Sequence, residues 1–259
     1  MTEKKILWYA GVHNRGWILE YYLRNMYNLE YNKQLIDCFF FVNNCQPEDK
    51  SIEILKKFRK EHGEEYNSFV IEIKNTDLSF IDDRTTEKRN TKTYNILSEI
   101  RNDSLKKCIE LNCDYLLNVD TDIIVPPALL KELLSIGYPI SASLIYNGYL
   151  IDPENPWKYP NVLNKINGKY VHIVNWHTKN PDKTDRNKII ECDATGACCL
   201  ISKEVCKKTK YCFHLQGEDM GWADNCAKNG FKMAFKPYLY SKHIMSKELL
   251  EEFKNFGVE

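Results

Sequence analysis

The chain has 259 residues, of which 43% are hydrophobic and 28% are charged. This length and composition predict one globular domain with a single sizeable core, since chains only somewhat longer divide into several domains. The 36 basic and 36 acidic residues cancel, so no global field favours nucleic acid or an anionic membrane. A phosphate-rich partner therefore requires a local binding site.

Neither terminus nor interior contains a segment typical of membrane proteins. No apolar run approaches the roughly 20 residues that a transmembrane helix requires. Met1 to Lys5 lead directly into the apolar Ile6–Tyr9 without room for a signal peptide, so we expect a cytoplasmic protein. The ten cysteines include no CxxC pair, and several lie inside apolar runs. We therefore expect buried free thiols rather than zinc ligands or a disulfide framework.

Strand-like and helix-like segments alternate through the first half of the chain. Helical spacing of apolar residues predicts helices over Ile18–Met26, with Asn14 as a possible N-cap, from Ser51 onwards, and over Tyr94–Leu111. Apolar runs predict four buried strands, Ile6–Ala10, Leu35–Val42, Phe69–Ile73 and Asp114–Val119. This alternation predicts a mostly parallel sheet with helices on both faces.

Irregular segments interrupt this pattern. Asp77 to Thr93 is polar and predicts a long loop, and Asp152 to Arg186 is irregular apart from a hairpin around Asn167-Gly168. Three further elements are predicted towards the C-terminus: a strand region over Glu191–Ile201, a helix over Gly217–Asn229 that Gly230 ends, and a strand from Phe231 that ends at Pro237.

Two carboxylates, Asp120 and Asp122, directly follow the predicted strand Asp114–Val119. Ligands bind beyond the carboxyl ends of the strands in an open parallel sheet, so this is an expected binding site. In extended backbone, residues two apart point to the same side. Oxygen ligands arranged in this way suit Mg²⁺ or Mn²⁺, which also bridge the phosphates of nucleotides. The alternative is that the two aspartates only cap a turn.

A second acidic pair, Glu218 and Asp219, opens the predicted helix Gly217–Asn229. Negative charge stabilises a helix N-terminus, so a structural role is the simplest interpretation. The whole segment GEDMGWADNCAKNGFKMAFKPYLYSKHIM, however, resembles the C-terminal part of bacterial family-2 and related glycosyltransferases of the GT-A fold. Those proteins carry a Glu-Asp pair opening a helix, a glycine ending it, a short strand and then a histidine.

The resemblance covers about residues 5 to 245 and extends to the nucleotide site. The segment from Ala10 to Arg15 is similar to the first strand-to-helix turn of the family, and Arg101-Asn102 resembles its Arg-Asn pair near the nucleotide. Asn43-Asn44 stands where the family often has an acidic residue that reads the base, which leaves the base open. The resemblance thus assigns nucleotide binding to Ala10, Val12, Asn14, Arg15, Asn43, Arg101 and Asp120. It also implies that the loop Asp193–Cys198 lines the acceptor side.

The resemblance also implies the chemistry. Mn²⁺ or Mg²⁺ would be held by Asp120, Asp122 and His243, with Asp122 as the main ligand. Such a cation neutralises the leaving diphosphate. Asp219 would be the catalytic base that takes the proton of the acceptor hydroxyl, with Glu218 in support, and a single displacement with inversion is expected.

The implied protein is a single-domain α/β GT-A enzyme with a mostly parallel central sheet flanked by helices. Residues 1–125 would form the nucleotide-binding half that ends in the DxD motif, and residues 126–259 the acceptor-binding half. The implied activity is hexose transfer from a UDP- or GDP-sugar to a glycan, a lipid-linked molecule or a protein. No nucleic acid is expected as a partner.

Two other functions fit part of the pattern. A haloacid-dehalogenase-like phosphatase also has a buried strand that runs into DxD, although that motif normally lies near the N-terminus. A non-catalytic GT-A-like protein would bind a nucleotide or glycan, although it would have no use for a base at Asp219. Core packing is the more common role for each large aromatic residue, but four of them are also candidates for stacking on a sugar, with Trp222 best placed: Trp157, Tyr159, Trp176 and Trp222.

Overall fold

A central sheet and the helices around it form the part of the chain that the computed structural model describes, residues 3–43, 45–74 and 91–255. The strands in chain order are β1 (Ile6–Val12), β2 (Ile36–Asn43), β3 (Ser68–Lys74), β4 (Tyr115–Val119), β5 (Ile123–Ile124), β6 (Ile140–Leu144), β7 (Leu163–Ile166), β8 (Lys169–His172), β9 (Ile190–Cys192), β10 (Cys198–Ser202), β11 (Met233–Tyr240) and β12 (Lys242–His243). The α-helices are α1 (Leu19–Tyr27), α2 (Ser51–His62), α3 (Thr91–Glu110), α4 (Leu129–Ile136), α5 (Trp176–Lys179), α6 (Lys203–Lys208), α7 (Glu218–Lys228) and α8 (Lys247–Asn255).

The central sheet has eight strands in the order β3-β2-β1-β4-β10-β6-β11-β9. The four strands predicted in the first half of the chain lie side by side in it and pair in parallel, as expected. β10 is antiparallel to both of its neighbours, and β9 is antiparallel to β11. The remaining strands form two small sheets, the β7–β8 hairpin at Asn167-Gly168 that the sequence predicts, and the pair β5–β12.

Apolar cores cover both faces of the sheet because successive side chains of a strand point to opposite sides. Along β1, Ile6, Trp8 and Ala10 pack into one core, whereas Leu7 and Tyr9 pack into the other. All five side chains are at most 1% exposed. This is the burial expected of a parallel sheet covered by helices on both faces.

Two predicted boundaries in the first half are wrong. α1 begins at Leu19 with Ile18 as its N-cap, whereas Asn14 lies upstream with a φ of 49° and accepts a hydrogen bond from the Gln46 amide. α3 begins at Thr91, inside the predicted loop Asp77 to Thr93. The rest of that loop, residues 77–90, and Asn44 lie outside the described residues.

The C-terminal strands also differ from the prediction in two places. β11 continues through Pro237 to Tyr240. The proline is accommodated because β9 pairs only as far as Phe235, and the register against β6 shifts between Lys236 and Tyr240, so no ladder requires a donor there. The strand region Glu191–Ile201 is two strands, β9 and β10, separated by a loop in which Ala197 has a φ of 64°.

The helix α7 confirms the predicted span, with Gly217 before it and Gly230 after it at a φ of 75°. Of the two roles considered for Trp222 on this helix, sugar stacking and core packing, the structure shows core packing. Its ring is fully buried, stacks on Tyr211 with 4.8 Å between centroids, and donates a hydrogen bond to Thr209. A ring so enclosed cannot reach a ligand and belongs to the core.

The cysteine prediction is confirmed, because all ten thiols are free and only Cys45 and Cys212 are partly exposed. Among the residues described, no helix is both long enough and apolar enough to span a membrane.

The contact between α7 and the segment before it depends on Gly221. A β-carbon at this position would overlap the carbonyl oxygen of Cys212 and lie 2.9 Å from its carbonyl carbon. We expect Gly221→Ala to lower the free energy of unfolding by about 1–3 kcal/mol, as overpacking does, although alanine is the better helix former. Urea unfolding measures this. Lys228→Ala at the exposed end of the same helix is the control, and an equal or smaller effect of Gly221→Ala would contradict the close contact.

Candidate functional site

A cavity of about 690 Å³ opens at the carboxyl ends of the parallel strands. Val12 at the end of β1, Asn43 at the end of β2 and Asp120 after β4 all line it. α3 contributes one wall, and the start of α7 contributes another through Glu218 and Asp219. The cavity thus lies where an open α/β sheet binds its ligands.

The DxD motif forms a turn rather than an extended strand. The amide of Ile123 donates to the carbonyl of Asp120 at 3.0 Å, which closes the turn across Asp120 and Asp122. The expectation of an extended backbone at this motif is therefore wrong, and it no longer supports a common direction of the two carboxylates. Both line the cavity, but each side chain pairs with a different arginine.

Asp120 is held by Arg101 of α3. Its two carboxylate oxygens lie 2.9 Å and 3.1 Å from the two guanidinium nitrogens, an arrangement in which both groups are fixed in direction. The Arg101 side chain is only 14% exposed. Burial alone would lower the pKa of Arg101, but the charges of Asp120 and Asp219 outweigh it and raise that pKa well above its usual range. Arg101 is therefore a permanent buried cation between the two acidic clusters.

Asp122 is buried and lies between Arg15 and His243. One carboxylate oxygen is 3.3 Å from the Arg15 guanidinium, and the other is 3.5 Å from Nε2 of His243. The second contact arises because β12 pairs with β5 just after the DxD turn, with His243 opposite Ile123. The structure therefore brings together Asp122 and His243, which are 121 positions apart in the sequence.

The tautomer of His243 follows from its other ring nitrogen. Nδ1 lies 2.9 Å from Oδ1 of Asn147, an atom that only accepts hydrogen bonds. Nδ1 therefore carries the proton, and in the neutral ring Nε2 presents a lone pair. This lone pair faces an oxygen of the Asp122 carboxylate, so two electron-rich atoms point at the same space.

These two atoms fit a divalent cation. Two neighbouring ligands of Mg²⁺ or Mn²⁺ lie about 3 Å apart, given metal–oxygen distances of about 2.1 Å, and the observed separation is 3.5 Å. The described residues contain no group of three or more His, Cys, Asp and Glu side chains arranged for a metal. Mg²⁺ commonly takes only one or two protein ligands and completes its shell with phosphates and water.

The two carboxylates of the second acidic pair, Glu218 and Asp219, lie in different environments. Glu218 is 5% exposed, whereas Asp219 is partly exposed and lines the cavity close to Arg101. The Asp219 carboxylate packs against Gly196, where a β-carbon would lie 2.7 Å from its carboxyl carbon. Gly196 belongs to the loop Asp193–Cys198, and because it has no side chain it leaves room for the Asp219 carboxylate.

The predicted nucleotide-binding residues are only partly at the cavity. Val12, Arg15, Asn43, Arg101 and Asp120 line it. Ala10 is instead fully buried in the core. Asn14 contacts Gln46 and His13 and does not line the cavity. None of the four aromatic residues predicted to stack on a sugar lines it either.

Several lining residues were missed by the sequence analysis. Asn118 could have been found, because it is a polar residue inside the buried strand β4 and is itself 3% exposed. Asn147 lies in an irregular segment and His172 ends the short strand β8, and no periodicity marks either residue as part of a site. Tyr94 and Gln216 carry no sequence signal that separates them from other polar surface residues.

Comparison with known proteins identifies the fold. Residues 1–161 match the Anp1 family. Structures with a similar fold include a mannosyltransferase from Pyrobaculum calidifontis in complex with GDP-Man and Mn²⁺, at 11% identity and a TM-score of 0.56, covering 95% of this chain and 59% of that one. TarS 1-349 of S. aureus in complex with UDP-GlcNAc matches at 12% identity and a TM-score of 0.53, and the match covers 93% of this chain and 61% of TarS 1-349. GalNAc-T7 with UDP, GalNAc and Mn²⁺ matches at 13% identity and a TM-score of 0.58, and the match covers 93% of this chain and 43% of GalNAc-T7.

These likenesses confirm the predicted GT-A fold. The chain spans less than two thirds of the length of each of these three structures. No curated protein matches the chain in sequence.

Removal of the buried cation tests the arrangement around it. We expect Arg101→Met to lower the free energy of unfolding by about 2–3 kcal/mol. This is less than the roughly 3–5 kcal/mol of a fully buried pair, because Asp120 is 36% exposed and water screens it. Arg101→Lys should recover part of the loss, since a lysine keeps the charge but not the two-nitrogen contact. Arg59→Met on the exposed face of α2 is the control, and equal stability of the two methionine variants would contradict this role.

Proposed function

The chain belongs to the Anp1 family of GT-A-like mannosyltransferases, and from that premise we propose that it transfers mannose from GDP-mannose to an acceptor hydroxyl, with the help of Mn²⁺ or Mg²⁺. Membership of a glycosyltransferase family favours this activity over the two alternatives from the sequence, a haloacid-dehalogenase-like phosphatase and a non-catalytic GT-A-like binding protein. One observation carries the proposal of metal dependence: the Asp122 oxygen and the His243 Nε2 lone pair face each other at 3.5 Å on the wall of the cavity.

GDP-mannose is the proposed donor because the family and one structural relative point to it. The P. calidifontis mannosyltransferase binds GDP-Man and Mn²⁺, and GalNAc-T7 binds UDP together with Mn²⁺. Both complexes combine a nucleotide with a divalent cation. Here, Asp122 and His243 would hold the cation, which neutralises the charge that develops on the leaving diphosphate.

Residues 1–125 are the proposed nucleotide-binding half, and residues 126–259 the proposed acceptor-binding half. Arg15 lies beside Asp122 and would contact the phosphates, whereas Arg101 fixes Asp120 for the nucleoside. The halves meet at the site, because His243 and Asp219 both come from the second one. A glycan, a lipid-linked molecule and a protein remain the acceptor classes to be tested.

Asp219 is the proposed catalytic base. It is the more exposed member of its pair and shares the cavity with Asp122. In a single displacement, the acceptor oxygen bonds to the anomeric carbon as the bond to the diphosphate breaks, and the hydroxyl proton passes to the carboxylate. The product of such a step has the inverted configuration.

Nucleotide binding is tested by thermal unfolding with GDP, UDP and other nucleoside diphosphates, each with Mn²⁺ or with EDTA. We expect GDP with Mn²⁺ to raise the melting temperature by about 5–10 °C at a hundredfold excess over Kd, because a ligand of the folded state stabilises it by mass action. EDTA should remove most of this increase. A larger increase with UDP than with GDP would contradict the proposed donor.

The metal ligands are tested by Asp122→Asn. We expect this variant to lose the Mn²⁺-dependent part of the GDP effect and at least 100-fold in transfer rate, because an amide is a poorer ligand for a hard cation than a carboxylate. The exposed Asp182→Asn, outside the cavity, is the matched control. Transfer that persists in Asp122→Asn, or in wild-type protein with EDTA, would show that the reaction does not depend on this site.

The base is tested by Asp219→Asn, an isosteric change that removes the proton acceptor. We expect kcat to fall by about 10²–10⁴-fold, the usual contribution of a general base, while GDP affinity stays unchanged. Glu218→Gln is the comparison within the pair. Two results would reject the assignment: an unaffected kcat in Asp219→Asn, or a product whose anomeric configuration in NMR equals that of the donor.

A further inference from the structure

A second histidine, His172 on β8, lines the same cavity. Its Nδ1 lies 2.6 Å from the backbone carbonyl oxygen of Pro160. A carbonyl only accepts hydrogen bonds, so Nδ1 carries the proton and Nε2 of the neutral ring is an acceptor. No described residue gives this Nε2 a hydrogen-bond partner.

The environment of His172 favours the neutral, oriented ring. Burial lowers the pKa of His172 despite the hydrogen bond to Pro160, so the ring is uncharged at neutral pH. The edge of the Tyr159 ring meets the imidazole with 5.8 Å between centroids and 74° between planes. The ring plane is thus restrained by packing as well as by the hydrogen bond at Nδ1.

His172 and His243 are held by the same pair of backbone segments. Tyr146 and Pro160 form a β-bridge, and the amide of Asn147 donates to the carbonyl of Tyr159 at 2.8 Å. One of these segments binds His172 through the Pro160 carbonyl, and the other binds His243 through the Asn147 side chain. Both imidazoles therefore have Nδ1 bonded to an oxygen of this support, and both residues line the cavity.

The two Nε2 atoms differ in what they face. Nε2 of His243 lies beside the Asp122 carboxylate, an arrangement for a cation. Nε2 of His172 has no carboxylate within ion-pair distance among the described residues. A neutral nitrogen that only accepts hydrogen bonds repels phosphate oxygens and attracts hydroxyl donors.

We propose that His172 binds the acceptor, with Nε2 accepting a hydrogen bond from a hydroxyl group of an acceptor sugar. The proposal rests on the proposed function, because it assigns a residue to the acceptor side of the same site. The position supports the acceptor rather than the nucleotide, since β8 belongs to the second half of the chain, whereas most of the predicted nucleotide contacts come from the first. A sugar offers several hydroxyl donors, so this contact selects a hydroxylated acceptor.

NMR of the full chain with ¹⁵N-labelled histidine tests the contact directly, because the six histidines give few signals and His172→Gln assigns one of them. The probes are GDP with Mg²⁺, then methyl α-mannoside and mannobiose. We expect His172 Nε2 to be unprotonated in the free protein, unchanged by GDP with Mg²⁺, and shifted by a mannoside. His243 should respond to GDP with Mg²⁺ instead.

Each other outcome is decisive. A His172 ring protonated at Nε2, a shift on addition of GDP alone, or no shift with either mannoside would overturn the assignment. A His243 signal that does not shift on addition of GDP with Mg²⁺ would count against the proposed function. The His172 assignment is decided by the His172 signal alone. The two failures are therefore distinguishable in one titration.

Kinetics supply a second test with a matched control. We expect His172→Phe to raise KM for a mannoside acceptor about tenfold, the effect of one lost hydrogen bond, with GDP affinity and hydrolysis of the donor by water unchanged. His172→Gln, which keeps an acceptor oxygen, should recover part of the loss. His62→Gln, outside the cavity, is the control. An equal decrease in donor hydrolysis and transfer would indicate a structural role and contradict the proposal.

Discussion

The buried guanidinium of Arg101 is the constraint on which the site depends. A cation removed from water must be compensated by carboxylates, or its desolvation costs several kcal/mol. Asp120 from the first half of the chain and Asp219 from the second supply that compensation. The two acidic clusters are therefore brought together by a structural requirement of the folded protein as well as by any ligand. The Asp120 carboxylate is thereby fixed in direction without a ligand, and such preorganisation would lower the entropic cost of binding in the proposed nucleotide site.

The direction of one strand explains how a loop from the second half of the chain reaches this centre. β10 runs antiparallel between β4 and β6, so the loop before it lies at the edge where the parallel strands end. The carbonyl of Ala197 in that loop accepts the Asp120 amide at 2.8 Å, and Gly196 packs against Asp219. A parallel strand here would have placed the same loop at the opposite edge of the sheet. The antiparallel insertion is thus what allows one loop to touch both acidic clusters.

The sequence predicted the parts of the structure that periodicity encodes. Apolar runs identified β1 to β4, and the carboxylates after β4 located the cavity, because parallel strands end at a common edge. The relative direction of Asp120 and Asp122 could not be predicted, since it depends on a turn closed by one backbone hydrogen bond. Asn147 and His172 were missed for a related reason. Their positions depend on a β-bridge between two irregular segments, and such contacts leave no periodic signal.

One amide side chain shows why the second half resists prediction. Asn161 is 4% exposed, accepts the Ile145 amide at 2.8 Å, and donates to the carbonyls of Ser143 and Gly196, each at 3.0 Å. It thereby pairs with buried backbone groups, and it joins the segment beside His172 to the loop beside Asp219. In the first half, the hydrogen bonds of the parallel strand ladders hold neighbouring segments together. The irregular segments of the second half instead depend on a few single side chains such as Asn161, so a substitution there can reshape this wall of the cavity while the parallel strands persist.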